Sequence, residues 1–155
     1  MVLLICLGAA AAVGAGWWLV QLRVSDEKLI QELVAKAEHG VEAKSVEEIM
    51  DCLSRDFEGQ GDMSREDVWR LAMQWQRSPL EADVVIQDQR ITVEGREATG
   101  QFHVQVELVE EGLPRPSLVA FLTVGFERRW RGLRKTWRVR SVRGFDPDAI
   151  LEEAL

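Results

Sequence analysis

The 155-residue chain contains no tyrosine, four prolines, two histidines and two cysteines. Each scarcity removes a class of function. Two cysteines, one of them (Cys6) inside an apolar leader, exclude a disulfide framework. His39 and His103 are the only histidines, and neither belongs to a Cys/His cluster at ligand spacing, so no metal and no cofactor are expected. The glycines of "VEEG" and "FEGQG" do not make a phosphate-binding loop. A net charge of -7 argues against nucleic acid as a partner. Charge is itself missing from the first 22 residues.

That uncharged run, "MVLLICLGAAAAVGAGWWLVQL", would rise roughly 33 Å as a helix, about the thickness of a bilayer's hydrocarbon core. Trp17 and Trp18 stand near its end, where amphipathic rings prefer the lipid–water boundary. A cleaved signal peptide fits less well, because no basic residue precedes the run and the apolar residues Trp17 to Val20 follow its small-residue stretch. A lipoprotein signal fits worse, with Cys6 close to the start behind a bulky Ile5. The expectation is a single transmembrane helix over residues 1–22 and a membrane localisation. Arg23 and Lys28 favour a cytoplasmic domain by the positive-inside rule, but Asp26 and Glu27 adjoin them, and the side of the membrane stays open.

Beyond this run the chain reads as a soluble domain. With 46% hydrophobic and 29% charged residues the chain is not disordered, and about 130 residues suffice for one buried core. Ser25 is placed to cap a helix whose apolar residues Leu29, Ile30, Leu33, Val34 and Ala37 recur at helical spacing, and Gly40 is expected to kink or end it. Ser45 and Glu48 have the spacing of a capping box before Val46, Ile49, Met50 and Leu53. "EGQGD" reads as a loop. Ser64 then caps a third helix bearing Val68, Leu71, Ala72 and Trp75, which Pro79 closes.

From residue 82 the period changes to two. "ADVVIQDQRITV" predicts one strand or a bent pair, and "EG" at 94–95 a tight connection. "EATGQFHVQVELV" is the next strand, "EEGLPRPS" a loop, "LVAFLTVGFERRW" a strand apolar on both faces, and "KTWRVRSVRGF" a final one after the turn "RGLR". Three helices and then an antiparallel meander predict an α+β domain over residues 25–146, with a short acidic tail at 147–155.

The helix pair "LIQELVAKAEHGVEAKSVEEIMDCLSRDFEG", the hairpin "ITVEGREATGQFHV" and the closing "TWRVRSVRGF" resemble the nuclear transport factor 2-like superfamily, including its SnoaL-like branch. The resemblance implies a cone, in which a curved antiparallel sheet wraps three N-terminal helices, often with dimerisation through the sheet. The superfamily includes isomerases, dehydratases, cyclases, transport adaptors and assembly factors, so the fold alone fixes no function. Its ketosteroid isomerases combine a general base with a tyrosine and a protonated carboxylic acid. This chain has no tyrosine, and in the region of the family's base, "DFEGQGD", Asp62 is only a loose positional match and reads more simply as a solvated loop residue.

The strand 101–108 carries Phe102, Val104, Val106 and Leu108 on one face and Gln101, His103, Gln105 and Glu107 on the other. Burying each large apolar side chain stabilises by about 1.5–3 kcal/mol, whereas each orphaned polar group would cost about 1–3 kcal/mol. The apolar face is expected inside and His103 outside. His39 fits as a favourable charge at a helix C-terminus. No catalytic set is identified.

Trp69, Trp75, Phe102, Val104 and Trp137 are the candidate lining of a ligand pocket. The strand "LVAFLTVGF" carries Val119 and Phe121 on one face and Ala120, Leu122, Val124 and Phe126 on the other; only one face can lie in the core, so the second must be covered, which predicts a homodimer through the sheet. The hairpin "ERRWRGLRKTWRVRSVRG" holds eight cations against the single anion Glu127. Those charges either find carboxylates elsewhere on the domain, such as Glu107, or dock on anionic lipid or an acidic protein through Arg129, Arg131 and Arg134. Two functions are consistent with these features. The first is a membrane-tethered, non-catalytic module that binds a partner protein or small apolar ligand in assembly or scaffolding. The second is a SnoaL-like isomerase, dehydratase or cyclase.

Overall fold

A computed structural model of the chain describes residues 25–144 apart from 116 and 133. The anchor expected over 1–22 and the tail over 147–155 lie outside the described residues. Among those described, no helix is long and apolar enough to cross a membrane.

Helix α1 runs Asp26–Glu42, with the Ser25 hydroxyl accepting from the Lys28 amide. Gly40 neither kinks nor ends it. It is buried in the last turn, where an added Cβ would stand 3.2 Å from Glu48 Cβ and Ile49 Cγ1, so its role is to let α2 approach closely. Helix α2 spans Val46–Cys52, and Ser45 accepts from the Glu48 amide as expected. The Glu48 carboxylate does not close the box; it reaches instead to His39 Nδ1 at 2.7 Å.

The largest departure comes next. Leu53–Gly59 is a strand, β1, which lies parallel to the last of the described strands. The sheet is therefore mixed rather than wholly antiparallel. Leu53 and Phe57 are four apart, a spacing that suits a helix as well as a strand, and only pairing with a distant segment decides between them. A 3-10 turn over Gln60–Asp62 leads to α3, Arg65–Arg77, whose capping box pairs Ser64 with Asp67. Asp62 is exposed in that turn and takes no part in the cap.

Strands β2 (Glu81–Glu94), β3 (Glu97–Glu110), β4 (Leu113–Pro114), β5 (Leu118–Arg131) and β6 (Arg134–Arg143) complete a six-stranded sheet. Its order is β1-β6-β5-β3-β2, with β4 also pairing β3. The β2–β3 turn is Gly95–Arg96, one residue later than expected, with Gly95 at φ +65. Strand β2 is bent by a bulge between Gln87 and Arg90, where Asp88 adopts φ +49. The bulge has a sequence cause. Ile86 and Ile91 both pack against the core, yet five residues is an odd spacing, so one extra residue must be absorbed between them.

Helix α1 crosses the inner face of the sheet, touching β2 at one end and β6 at the other. Ile30 and Leu33 from α1 meet Phe57, Phe102, Phe126, Trp137 and Val139 from the strands in one core. Phe102 and Phe126 sit edge to face, centroids 6.2 Å apart at 78°. Cys52 is fully buried, and burial pushes its thiol up. It is an inert core residue.

Candidate functional site

The two faces of β3 divide as expected: Phe102 and Leu108 are buried, and His103 lies on the outer face. Of the expected pocket lining, Phe102 and Trp137 are buried in the core and Val104 packs partly against it. Trp75 is half-buried beside α1, donating Nε1 to Val41 O at 2.8 Å beneath the Lys44 ammonium. Trp69 is placed differently. It is 49% exposed, because α3 turns it away from the core that Ala72 and Val68 face. These five residues do not converge on one cavity.

One set of polar groups on the inner side is tied together at the start of α1. Trp137 Nε1 donates to Asp26 Oδ1 at 3.0 Å, and Lys135 Nζ lies 2.9 Å from the same oxygen. Arg128 is 3.7 Å from the other carboxylate oxygen. Burial pushes the Asp26 carboxyl up, but the bonds from Lys135 and Trp137 and the charges of Lys135 and Arg128 outweigh it and leave it below the ordinary range. An anion so held is a structural clasp on the first residue of α1, not an acid at neutral pH.

At the other end of α1, burial pushes the Glu38 carboxyl up, reinforced by the negative charges of Glu42 and Asp83. Glu42 itself accepts from the Val84 amide at 3.0 Å, which ties α1 to β2. No alternation rule predicts this carboxylate group, since it combines one helix with a strand some forty residues later.

The outer face of the sheet is built differently. His103 and Phe121 are register partners on β3 and β5, and their rings stack 4.6 Å apart at 6°. Phe121 is 73% exposed and Val119, two residues back on the same face, 55% exposed. The bulge in β2 brings Asp88 to 4.0 Å from His103 Nδ1. An open depression of about 360 Å³ lies over this region, lined among others by Asp88, Arg90, Gln101, His103, Phe121 and Thr123. Among the described residues no group of His, Cys, Asp or Glu could hold a metal ion.

The basic hairpin finds most of its carboxylates within the domain. Arg128 and Lys135 pair with Asp26, Arg129 with Glu127 and Asp56, Arg138 with Asp51 and Arg140 with Glu97. Arg129 is thus engaged at 2.8 Å on both sides, which removes it from the expected anion-binding set. The expected partner Glu107 accepts instead from Gln105 Nε2. Arg131 and Arg134 stay exposed at the hairpin's end.

No protein-family model matches this sequence, and no curated protein matches it either. Solved structures do. A protein of unknown function with a cystatin-like fold from Nostoc punctiforme has 18% identity and a TM-score of 0.59, the match covering 79% of this chain and 92% of that one. A hexachlorocyclohexane dehydrochlorinase, LinA type 2, has 20% identity and a TM-score of 0.63, covering 79% and 86%. A protein assigned as a scytalone dehydratase from Novosphingobium aromaticivorans has 13% identity and a TM-score of 0.65, covering 78% and 85%. With three helices laid into a curved mixed sheet, the described domain shares the α+β, cystatin-like fold of these solved structures.

Proposed function

We propose that the chain is a membrane-tethered cone-fold module without catalytic activity, whose outer sheet face binds a second copy of itself in assembly or scaffolding. One observation carries the reading: the exposed His103–Phe121 stack beside Val119, an apolar surface in the middle of a sheet whose inner face already has its helices. Exposed aromatic area of this kind is what a protein interface covers. The tether rests on the uncharged run of residues 1–22. The state of Asp26, the inner carboxylate that touches Trp137, supports a binding role: Trp137 and Lys135 hold it as an anion, so it is not available as an acid. Sedimentation of the full chain in mild detergent tests it. A dimer is expected at tens of micromolar, and Val119→Asp with Phe121→Asp is expected to give monomers with an unchanged circular dichroism spectrum. A wild-type monomer at that concentration rejects the dimer, and release of the full chain from membranes by high salt rejects the tether.

A second reading, an isomerase or dehydratase of small molecules, is favoured by Glu38. A carboxyl raised by burial and by Glu42 and Asp83 is the kind of group that can serve as a general base. The solved dehydrochlorinase and dehydratase share the fold. Turnover of a cyclic hydroxy ketone that is lost in Glu38→Gln would put this reading first.

A further inference from the structure

We infer that the tip of the β5–β6 hairpin, with Trp130, Arg131 and Arg134, is a docking surface for anionic phospholipid, lying against the membrane beside the point where the anchor joins the domain. The inference rests on the tether proposed above and adds which end of the domain faces the bilayer.

The first observation is where α1 begins. Asp26 is bound by Trp137, Lys135 and Arg128, all on the stem of this hairpin. The uncharged run ends at Leu22, four residues earlier. Four residues span at most about 14 Å even when fully extended. An anchor over residues 1–22 therefore delivers the hairpin stem to the membrane surface, and the tip is the adjoining element.

The second observation is a pair of like charges. Arg131 and Arg134 are direct register partners, and like charges placed opposite each other on a sheet are destabilising. The other cations of the strands, Arg128, Arg129, Lys135, Arg138 and Arg140, each have a carboxylate within 4.0 Å. Among the described residues neither Arg131 nor Arg134 has one that close; the Arg131 charge reaches Asp51 from further off and helps hold that carboxyl below its ordinary range, while both side chains stay exposed at the tip. Arg143, which is exposed too, lies at the far end of β6.

The third observation is Trp130, 57% exposed and the register partner of Lys135, hence on the sheet face that carries the Asp26 clasp. An indole at the rim of a membrane-proximal tip has the amphipathic character that the headgroup layer favours. Arg131 and Arg134 lie on the opposite face of the same tip, so a tip that meets the bilayer edge-on offers a negatively charged lipid surface both charge and an indole.

The test uses the full chain in nanodiscs of phosphatidylcholine alone and of phosphatidylcholine with about one-third phosphatidylglycerol, read by amide hydrogen exchange. Slower exchange at the hairpin tip is expected in the anionic discs only, weakened by added salt and abolished by R131E with R134E. Each basic residue near an anionic surface is worth about fivefold in partitioning, so the double variant should lose at least about twentyfold in binding to anionic vesicles. Equal exchange in both discs, or protection that survives the double variant, overturns the inference. Equal protection by a soluble acidic peptide also overturns it, in favour of a protein partner. Salt-resistant incorporation into neutral discs reports the anchor separately. If it fails, the tether falls, and the hairpin is then judged by vesicle sedimentation: anionic binding lost in the double variant sustains it, and no binding rejects it.

Discussion

Trp137 Nε1 and Asp26 Oδ1 are joined by a 3.0 Å hydrogen bond between the first residue of α1 and the last strand of the sheet. The bond closes the domain, since Asp26 also takes Lys135 at 2.9 Å, and the buried indole has its donor satisfied. A hydrogen bond to a charged group contributes about 1.5–3 kcal/mol, and Asp26→Ala should cost about that much in urea unfolding.

The same variant has a pH signature. The folded Asp26 carboxyl ionises below the ordinary aspartate value, so the folded state binds fewer protons than the unfolded state in that interval. Its stabilisation is complete above pH about 4 and is lost as pH falls through the folded value. The stability gap between wild type and Asp26→Ala should narrow below pH about 4. A gap that stays constant into acid would show that the carboxylate charge is not what holds α1.

Gly100 and Phe102 should be strongly coupled. A Cβ at Gly100 would stand 2.6 Å from Phe102 Cζ and 3.0 Å from Phe126 Cε2, so Gly100→Ala must displace one of two core rings packed edge to face. That overpacking should cost about 1–3 kcal/mol, and Phe102→Ala about 3–5 kcal/mol. In the double variant the alanine at 100 has room, and thermal unfolding should show a loss well below the sum. Additive losses would mean that the rings move aside freely.

Glu38→Gln should stabilise the domain at pH 7. Burial, then the charges of Glu42 and Asp83, raise the Glu38 carboxyl, and Glu42 is its i+4 neighbour on α1. Relieving a like-charge pair of that spacing is worth about 0.2–0.5 kcal/mol. A raised folded value means that stability is highest in acid and falls as pH rises through it, so the gain from glutamine should vanish below pH about 4. Paired chemical denaturation at neutral and acid pH reads the difference directly, and a gain that persists in acid would exclude ionisation as its source.

What could be read along the chain was local. Ser25, Ser45 and Ser64 each cap a helix within three residues of themselves, and the alternation through Phe102 to Leu108 shows its buried face without reference to any partner. Phe121 and Val119 were legible as a pair on one face, but that this face is the outer one follows from pairing with β3, where Phe121 stands opposite His103. The bulge at Asp88 left a trace too, in the odd spacing of Ile86 and Ile91. Strand β1 left none: its residues serve a helix equally well, and its identity depends on a parallel partner, β6, at the other end of the chain.

The sequence by itself determined the three helices, the strands from residue 82 onward and the buried face of β3, because caps and hydrophobic periods act over a few residues. Only the tertiary structure decided which charges are spent and which are offered. Eight cations in one hairpin look alike in sequence. Folding brings Asp26, Asp51, Asp56 and Glu97 to some of them and leaves Arg131 facing Arg134. An ion pair acts over a few ångströms between side chains whose separation along the chain carries no information about their separation in space.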